Sequence, residues 1–394
     1  MQSAASGARP RIALLAAQTT IGLREIAQSA FLLLYLQARD MTPSAIAQVV
    51  SGAQVAGMSI AFFGGMLTRY FGSKWVYIIG LVLSIASSVV FVVGDIWVIA
   101  AAWIIGGAGA ALYNIGSSGY LTRIGQAGGF GTLSALYILS STVGGALGHP
   151  LASGIITTWS YAGYGIAMLA MVLLTIGIAV VGMPNLRDTP DVAVVASRNT
   201  LGLLRSRTVA AIIVMRGLAT VNYGAMLLVV PLLLNSLTND TRLVAAYGSA
   251  TMVVASLAQF VAGRAADRWG ARWPTLVSFV MMIACGLFLA VSHTTVIGLF
   301  VGGIGSIAAA WALATLMFVW VADGVPQEDH ATLFGLLYAV WSISMIIGSI
   351  LAGRLVEIAG ALPFLVVGLT TVAAAVVGWR YYAADGGGKT HTNG

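Results

Sequence analysis

Twelve apolar runs follow one another along this sequence with short polar breaks between them, each close to the roughly 20 residues that a helix needs to cross a bilayer. They fall at 11–37, 43–66, 75–93, 97–119, 130–156, 160–182, 208–234, 243–265, 274–292, 296–320, 331–357 and 361–382. Only 8% of the 394 residues are charged and 59% are hydrophobic, whereas a soluble domain carries about 25% charged residues. This chain cannot cover itself with a hydrated surface. The pattern excludes a soluble enzyme, a secreted disulfide scaffold and a nucleic-acid binder, and it predicts an all-α membrane protein of twelve transmembrane helices. The single Cys285 gives no disulfide framework, and the four His have no ligand spacing, so neither a metal nor another cofactor is expected.

The net charge of +7 belongs to the loops. With the N-terminus inside, Arg9, Arg11, Arg69, Lys74, Arg123, Arg187, Arg198, Arg205, Arg207, Arg264, Arg268, Arg272, Arg380 and Lys389 lie on the cytoplasmic side. Arg39 and Arg242 lie outside, with Arg354 near an outer helix end. The positive-inside rule then puts both termini in the cytoplasm. The run after Arg11 reads as a spanning helix and not as a removable signal, so the expected location is the inner or plasma membrane. The expected partners are the lipid bilayer and a small-molecule substrate, with no nucleic acid, for a chain working as a monomer.

The longest polar interval divides the chain into residues 1–182, a first six-helix bundle; 183–207, a cytoplasmic linker; 208–382, a second six-helix bundle; and 383–394, a low-complexity tail expected to be disordered. A repeat supports the division. After the second run the sequence reads GMLTRYFGSKW (Gly65 to Trp75), and after the eighth it reads GRAADRWGARW (Gly263 to Trp273), 198 positions later. Weaker echoes keep nearly the same period: GGAGAA at 106–111 against GGIGSIA at 302–308, and TLSALY at 132–137 against TLFGLLY at 332–338. Parallel repeats of this kind build transporters whose binding site lies near the membrane midplane.

Both eleven-residue stretches resemble the cytoplasmic loop signature of the major facilitator superfamily, G-x-L-A-D-R-x-G-R-K/R-R. The resemblance runs through the whole chain and implies two pseudo-symmetric six-helix bundles and secondary active transport. In that family the signature's acid latches the cytoplasmic gate against the opposite half. The second copy keeps it as Asp267, with Arg268, Gly270 and Arg272; in the first copy Arg69 stands in its place. The resemblance therefore implies an inverted latch, Arg69 meeting Glu328 or Asp329, with Asp267 facing the loop of Arg123. The competing reading is a solvated basic loop that only orients the chain. The stretch GGALGHPLASG (Gly144 to Gly154) is similar to the G-x-x-x-G-P-x-x-G-G pattern of antiporters in the superfamily, with His149 and Ser153 replacing two glycines. The fourth run lacks the Arg that drug–proton antiporters often carry there, and has Trp103 before Gly107 and Gly109. The likeness is to drug and metabolite antiporters.

A charge at the bilayer centre costs at least about 2.5–3.5 kcal/mol and usually faces a cavity. Three stand out. Arg24 and Glu25 fall near the middle of the first run, about 20 Å from its inner end by helical rise, and Arg216 falls in the seventh. Desolvation favours the neutral carboxyl and a neighbouring guanidinium the charged one, so Glu25 is the candidate for proton coupling, driven by a proton gradient. Arg24 and Gln28 share a different stripe of the helix; a locked ion pair is the alternative for Arg24 and Glu25. Arg24 and Arg216 form a pseudo-symmetric pair that resembles the anion clamps of organic-anion and organic-phosphate carriers, and Arg grips such groups bidentately. Arg216 could instead snorkel to the interface. His149 titrates near neutrality or else packs through a hydrogen bond. Asn114, Tyr137, Asn222, Tyr223, Tyr338 and Trp341 complete the candidate substrate site, with Tyr35, Tyr247 and Trp311 behind them. Amphipathic rings suit a pocket and the membrane interface equally well.

The expected function is secondary active transport of a small organic molecule by alternating access, as proton-coupled efflux. The alternative is uptake or exchange of an organic anion or phosphate through Arg24 and Arg216. A remote alternative is a sensor or lipid-handling protein on the same scaffold. No Walker-type phosphate loop appears and no nucleophile, base and orienting group cluster, so an enzyme is not expected.

Overall fold

The computed structural model describes residues 8–126, 130–185, 203–326 and 329–384. Its helices are α1 (Ala8–Gln37), α2 (Pro43–Phe71), α3 (Ser73–Val89), α4 (Ile96–Gln126), the continuous run Phe130–Gly182 that holds α5 and α6, α7 (Arg207–Thr238), α8 (Thr241–Trp269), α9 (Arg272–Ser292), α10 (Val296–Gly324), α11 (His330–Ile358) and α12 (Leu362–Ala384). Nine helices among the described residues are long and apolar enough to cross a membrane. One of these windows, Leu136–Gly182, has 47 residues, about 70 Å at 1.5 Å per residue, more than twice the roughly 30 Å hydrocarbon core. It breaks at Ser160, whose φ of 71° and ψ of 176° are not helical, and so supplies two spans. α3 is shorter, at 17 residues. α1 carries Arg24 and Glu25 at its middle and is held by burial instead, with Leu14, Phe31, Leu32 and Leu36 fully enclosed. Among the described residues the fold is an all-α, multi-pass membrane architecture of twelve helices. The helices run a few residues past the apolar runs at most ends.

The two halves repeat their turns as well as their sequence. The link from α1 to α2 has Asp40 at φ 59° and the link from α7 to α8 has Asn239 at φ 49°; Asn and Asp tolerate this left-handed region better than other side chains. Thr42 then caps α2, accepting from the Ala45 N–H at 3.3 Å, with Pro43 in the first turn, where its missing N–H costs nothing. The two loop stretches likewise place Gly72 at φ 78° and Gly270 at φ 73°, conformations that glycine adopts without penalty.

Packing repeats too. A Cβ on Gly148 of α5 would collide with the Leu23 carbonyl oxygen of α1, and a Cβ on Gly348 of α11 would collide with the Val221 carbonyl oxygen of α7. Small residues at these crossings let the backbones touch, which is how spans associate where lipid removes any hydrophobic drive.

The chain forms two compact units, one of Met1–Val192 with Leu234–Val253, the other of Ala193–Leu233 with Val254–Gly394. The end of α7 and the start of α8 group with the first unit. Within that unit Asn235 Nδ2 donates to Gln37 Oε1 at 2.8 Å and Ser249 Oγ donates to the Ala146 carbonyl at 2.8 Å. Most of the expected linker and tail lies outside the described residues.

Candidate functional site

In the first unit the polar cluster begins with one turn of α1. Arg24 is buried, 3% exposed, and its Nη1 donates to the Ser84 carbonyl at 3.2 Å and to Ser87 Oγ at 3.3 Å. One turn on, Gln28 Nε2 donates to the Ser87 carbonyl at 2.5 Å. The serines serve this contact: Ser87 Oγ itself donates to the Ser84 carbonyl at 2.7 Å, so a short hydroxyl leaves room for the guanidinium against α3. Arg24 and Gln28 therefore anchor α1 on α3.

Glu25 projects about 100° away from Arg24 and is only partly covered. It lies next to the hydroxyl of Tyr113 on α4, with Arg24 as its nearest opposite charge, and it also interacts with Tyr137 on α5. The Tyr113 hydroxyl is buried and faces Glu25 without meeting hydrogen-bond geometry. The Tyr137 hydroxyl pairs with Ser117 Oγ at 2.7 Å. Asn114 is exposed, while its neighbour Tyr113 makes the contact. Residue-type reasoning favoured the amide; the helix register, which puts Tyr113 on the face of Ser117 and Tyr120, is the signal that finds the tyrosine. Tyr77 and Tyr164 also lie near Arg24.

His149 is buried, and its Nδ1 lies 2.9 Å from the carbonyl of Gly145, so Nδ1 carries the proton there. Its ring occupies the space a Cβ on Gly248 would need. It packs between α5 and α8. Tyr35, another residue of α1, donates to the Val93 carbonyl at 2.8 Å and stacks under the Arg39 guanidinium, 4.6 Å from its ring centre.

The second unit holds a cavity of about 300 Å³, at the lower end of the range for small-molecule sites. Arg216, Thr220 and Tyr223 line it from α7, Gln259 from α8, Trp311 from α10 and Trp341 from α11, with alanines between. The three α7 residues share one face at spacings of four and three. Thr220 Oγ1 donates back to the Arg216 carbonyl at 2.7 Å, and Trp311 Nε1 donates to the Tyr223 hydroxyl at 3.2 Å. Arg216 Nε is buried without a hydrogen-bond partner. Tyr338 is exposed and meets Trp341 with ring centres 5.7 Å apart. Asn222 lies elsewhere: fully buried, it donates from Nδ2 to Thr371 Oγ1 at 3.0 Å and accepts from Ser306 Oγ at 2.9 Å, joining α7, α10 and α12. Of the expected residues of these helices, Arg216, Tyr223, Trp311 and Trp341 line the cavity, while Asn222 and Tyr338 are not on its lining; Thr220 and Gln259 are polar lining residues that helical spacing alone gave no reason to prefer.

Among the candidate gate residues, Asp267 is exposed. Arg268 lies over the Trp269 ring at 5.5 Å, and Arg272 lies 5.7 Å from the Trp273 ring and 5.5 Å from the Trp379 ring. Arg123 is partly buried near the end of α4, and Asp329 occupies the N-cap position of α11 without a capping bond from its side chain. The Arg69 side chain and Glu328 lie outside the described residues.

A family model described as Major Facilitator Superfamily matches residues 14–247 and again 212–394. The tetracycline resistance protein, class H, of Pasteurella multocida is 27% identical over 168 residues, which is 41% of this chain and 40% of that protein. The chain thus matches less than half the length of that relative. Among solved structures, the nucleoside transporter NupG aligns with a TM-score of 0.75 at 14% identity, covering 96% of this chain and 98% of that one. A point mutant of NupG aligns at 0.78 and 15% identity, covering 96% and 99%. At such identity the likeness is one of fold.

Proposed function

This chain belongs to the Major Facilitator Superfamily, and we propose that this membrane transporter exports a small organic molecule in exchange for protons, with Glu25 as the group that takes up and releases the proton. The observation that carries the reading is the placement of Glu25. Every other acid among the described residues sits in a turn or within about one turn of a helix end, as Asp267, Asp323 and Glu357 do. Glu25 alone stands far inside its helix, partly covered, between a fixed guanidinium and two tyrosine hydroxyls. A carboxyl there can be held neutral by poor solvation and charged by Arg24, and an ionisable group at that depth is a functional candidate by default. Arg24 and Gln28 act as positioning residues, because their bonds to α3 fix the turn that presents Glu25.

Two features support export: the tetracycline-resistance relative, distant and partial as it is, and the Gly144–Gly154 stretch, whose Gly148 seats α5 on α1. The basic loops support a cell-membrane location with both termini cytoplasmic. The second reading, an anion carrier using Arg24 and Arg216 together, is weakened at Arg24, whose guanidinium already bonds Ser84 and Ser87.

The test uses inside-out vesicles acidified by respiration and loaded with a fluorescent pH indicator. Adding tetracycline or ethidium should release protons from vesicles that contain the wild-type protein and not from those that contain Glu25→Gln. Equal release from both would remove Glu25 from the mechanism.

A further inference from the structure

The cavity of the second unit has a chemistry that narrows its ligand. Arg216 lies about 14 Å into α7 by helical rise, and among the described residues nothing neutralises it or bonds its guanidinium: Nε is buried and unpaired, and no acid lines the cavity. The residue as a whole is only partly covered, so an anion entering the cavity would meet a cation that has no competing acid on the lining and would gain a charge-assisted hydrogen bond. The Tyr223 hydroxyl already accepts from Trp311, so its own proton is free to be donated. Thr220 contributes no donor, because its hydroxyl is turned back on the Arg216 carbonyl. The free donors of α7 are therefore a cation and a hydroxyl on one face, and the indoles of Trp311 and Trp341 share the same lining.

Building on the reading of this chain as a transporter of organic molecules, we propose that this cavity binds a small aromatic carboxylate, the carboxylate on Arg216 and Tyr223 and the ring against Trp311 and Trp341. Each alternative ligand class meets a physical objection. An organic cation would find flat aromatic faces but also Arg216 in the same small space. A neutral polyol or nucleoside would leave the guanidinium unmatched. A doubly charged phosphate would meet only one cation on the lining, whereas a carboxylate matches a single Arg fork in both charge and geometry. The indoles favour a ring over an alkyl chain, because they are rigid, flat and polar at one edge.

The experiment is isothermal titration calorimetry on the purified full-length protein, with 1-naphthoate, 1-naphthamide and hexanoate as probes. Naphthoate should bind the wild type about tenfold or more tighter than the uncharged amide, as expected for a charge-assisted bidentate contact, and also tighter than hexanoate. Arg216→Gln should abolish the preference for acid over amide, and Arg216→Lys should keep part of it, since charge remains and the fork does not. The proposal is overturned if the wild type fails to bind naphthoate, binds acid and amide equally, or if Arg216→Gln keeps the preference. Should Arg216→Gln fail to fold, the wild-type comparison and Arg216→Lys decide. Binding is read at equilibrium with no proton gradient, so failure of the proton-exchange reading leaves this result intact. Failure here in turn leaves the vesicle assay with tetracycline and ethidium standing.

Discussion

Asn235 donates to Gln37 at 2.8 Å, and the two residues occupy equivalent places in the two halves of the sequence, 198 positions apart, the spacing that also separates Trp75 from Trp273. Gln37 ends α1 three residues before Asp40, and Asn235 lies in the last turn of α7 four residues before Asn239, the two left-handed turn residues. The repeat therefore brings the ends of α1 and α7 together through its own symmetry mates, and this contact helps explain why 234–253 groups with the first unit.

That contact is testable by chemistry, because Cys285 is the one native thiol. In a Cys285→Ser background, Gln37→Cys with Asn235→Cys should be bridged by a short bismaleimide, seen by intact-mass spectrometry as one reagent per chain instead of two. Bridging should also abolish proton release in the vesicle assay if turnover requires α1 and α7 to part at these ends. Two independent labels per chain would show that the residues are not neighbours in the membrane.

The glycine crossings make a second prediction. Gly148→Ala and Gly348→Ala should each destabilise the protein by about 1–3 kcal/mol, the usual cost of overpacking, because the new methyl meets a carbonyl oxygen of the backbone, which cannot swing aside as a side-chain tip can. Gly154→Ala and Gly368→Ala, where a Cβ would find nothing within 4 Å, serve as controls. Thermal melting of the purified variants reads the difference, and equal melting of all four would reject the packing account.

Most of the fold was legible because lipid enforces it. Apolar length sets the spans, and the two loop stretches recur because each needs a glycine at positive φ, Gly72 and Gly270. The candidate site was legible only as far as helix periodicity reaches. The 100° step separates Arg24 from Glu25 on paper, yet nothing in the order of residues says that the Arg24 stripe faces Ser84 and Ser87; that depends on which helix lies alongside. The same limit explains why Tyr113 and not Asn114 meets Glu25, and why the two readings of His149 stayed open until its ring was placed beside Gly248.

Arg24 and Glu25 should be coupled in stability as well as in position. Arg24→Gln removes two bonds to α3 and strips Glu25 of its nearest opposite charge, so it should lower stability by about 1–3 kcal/mol. Adding Glu25→Gln should restore part of the loss, since the remaining carboxylate no longer has to be charged in poor solvation. A double-mutant cycle of melting curves reads this coupling; strictly additive losses would show that the two side chains act apart.

Asn222 and Tyr223 are adjacent in the chain and should separate stability from binding. Asn222 is enclosed and bridges Ser306 and Thr371, so Asn222→Ala should cost about 1–3 kcal/mol by leaving buried hydroxyls unmatched, while the protein that remains folded binds naphthoate as the wild type does. Tyr223→Phe should do the reverse. The ring still fills its place and only the long Trp311 bond is lost, so melting changes less than in Asn222→Ala, but the cavity loses a hydroxyl donor beside Arg216, and naphthoate affinity should fall about tenfold or more, the value of one hydrogen bond to a charged group. Melting and calorimetry on the two variants decide it. If Asn222→Ala weakens naphthoate and Tyr223→Phe does not, the face of α7 that meets the ligand is the one turned toward Ser306 and Thr371, and the cavity around Arg216 is not where the carboxylate sits.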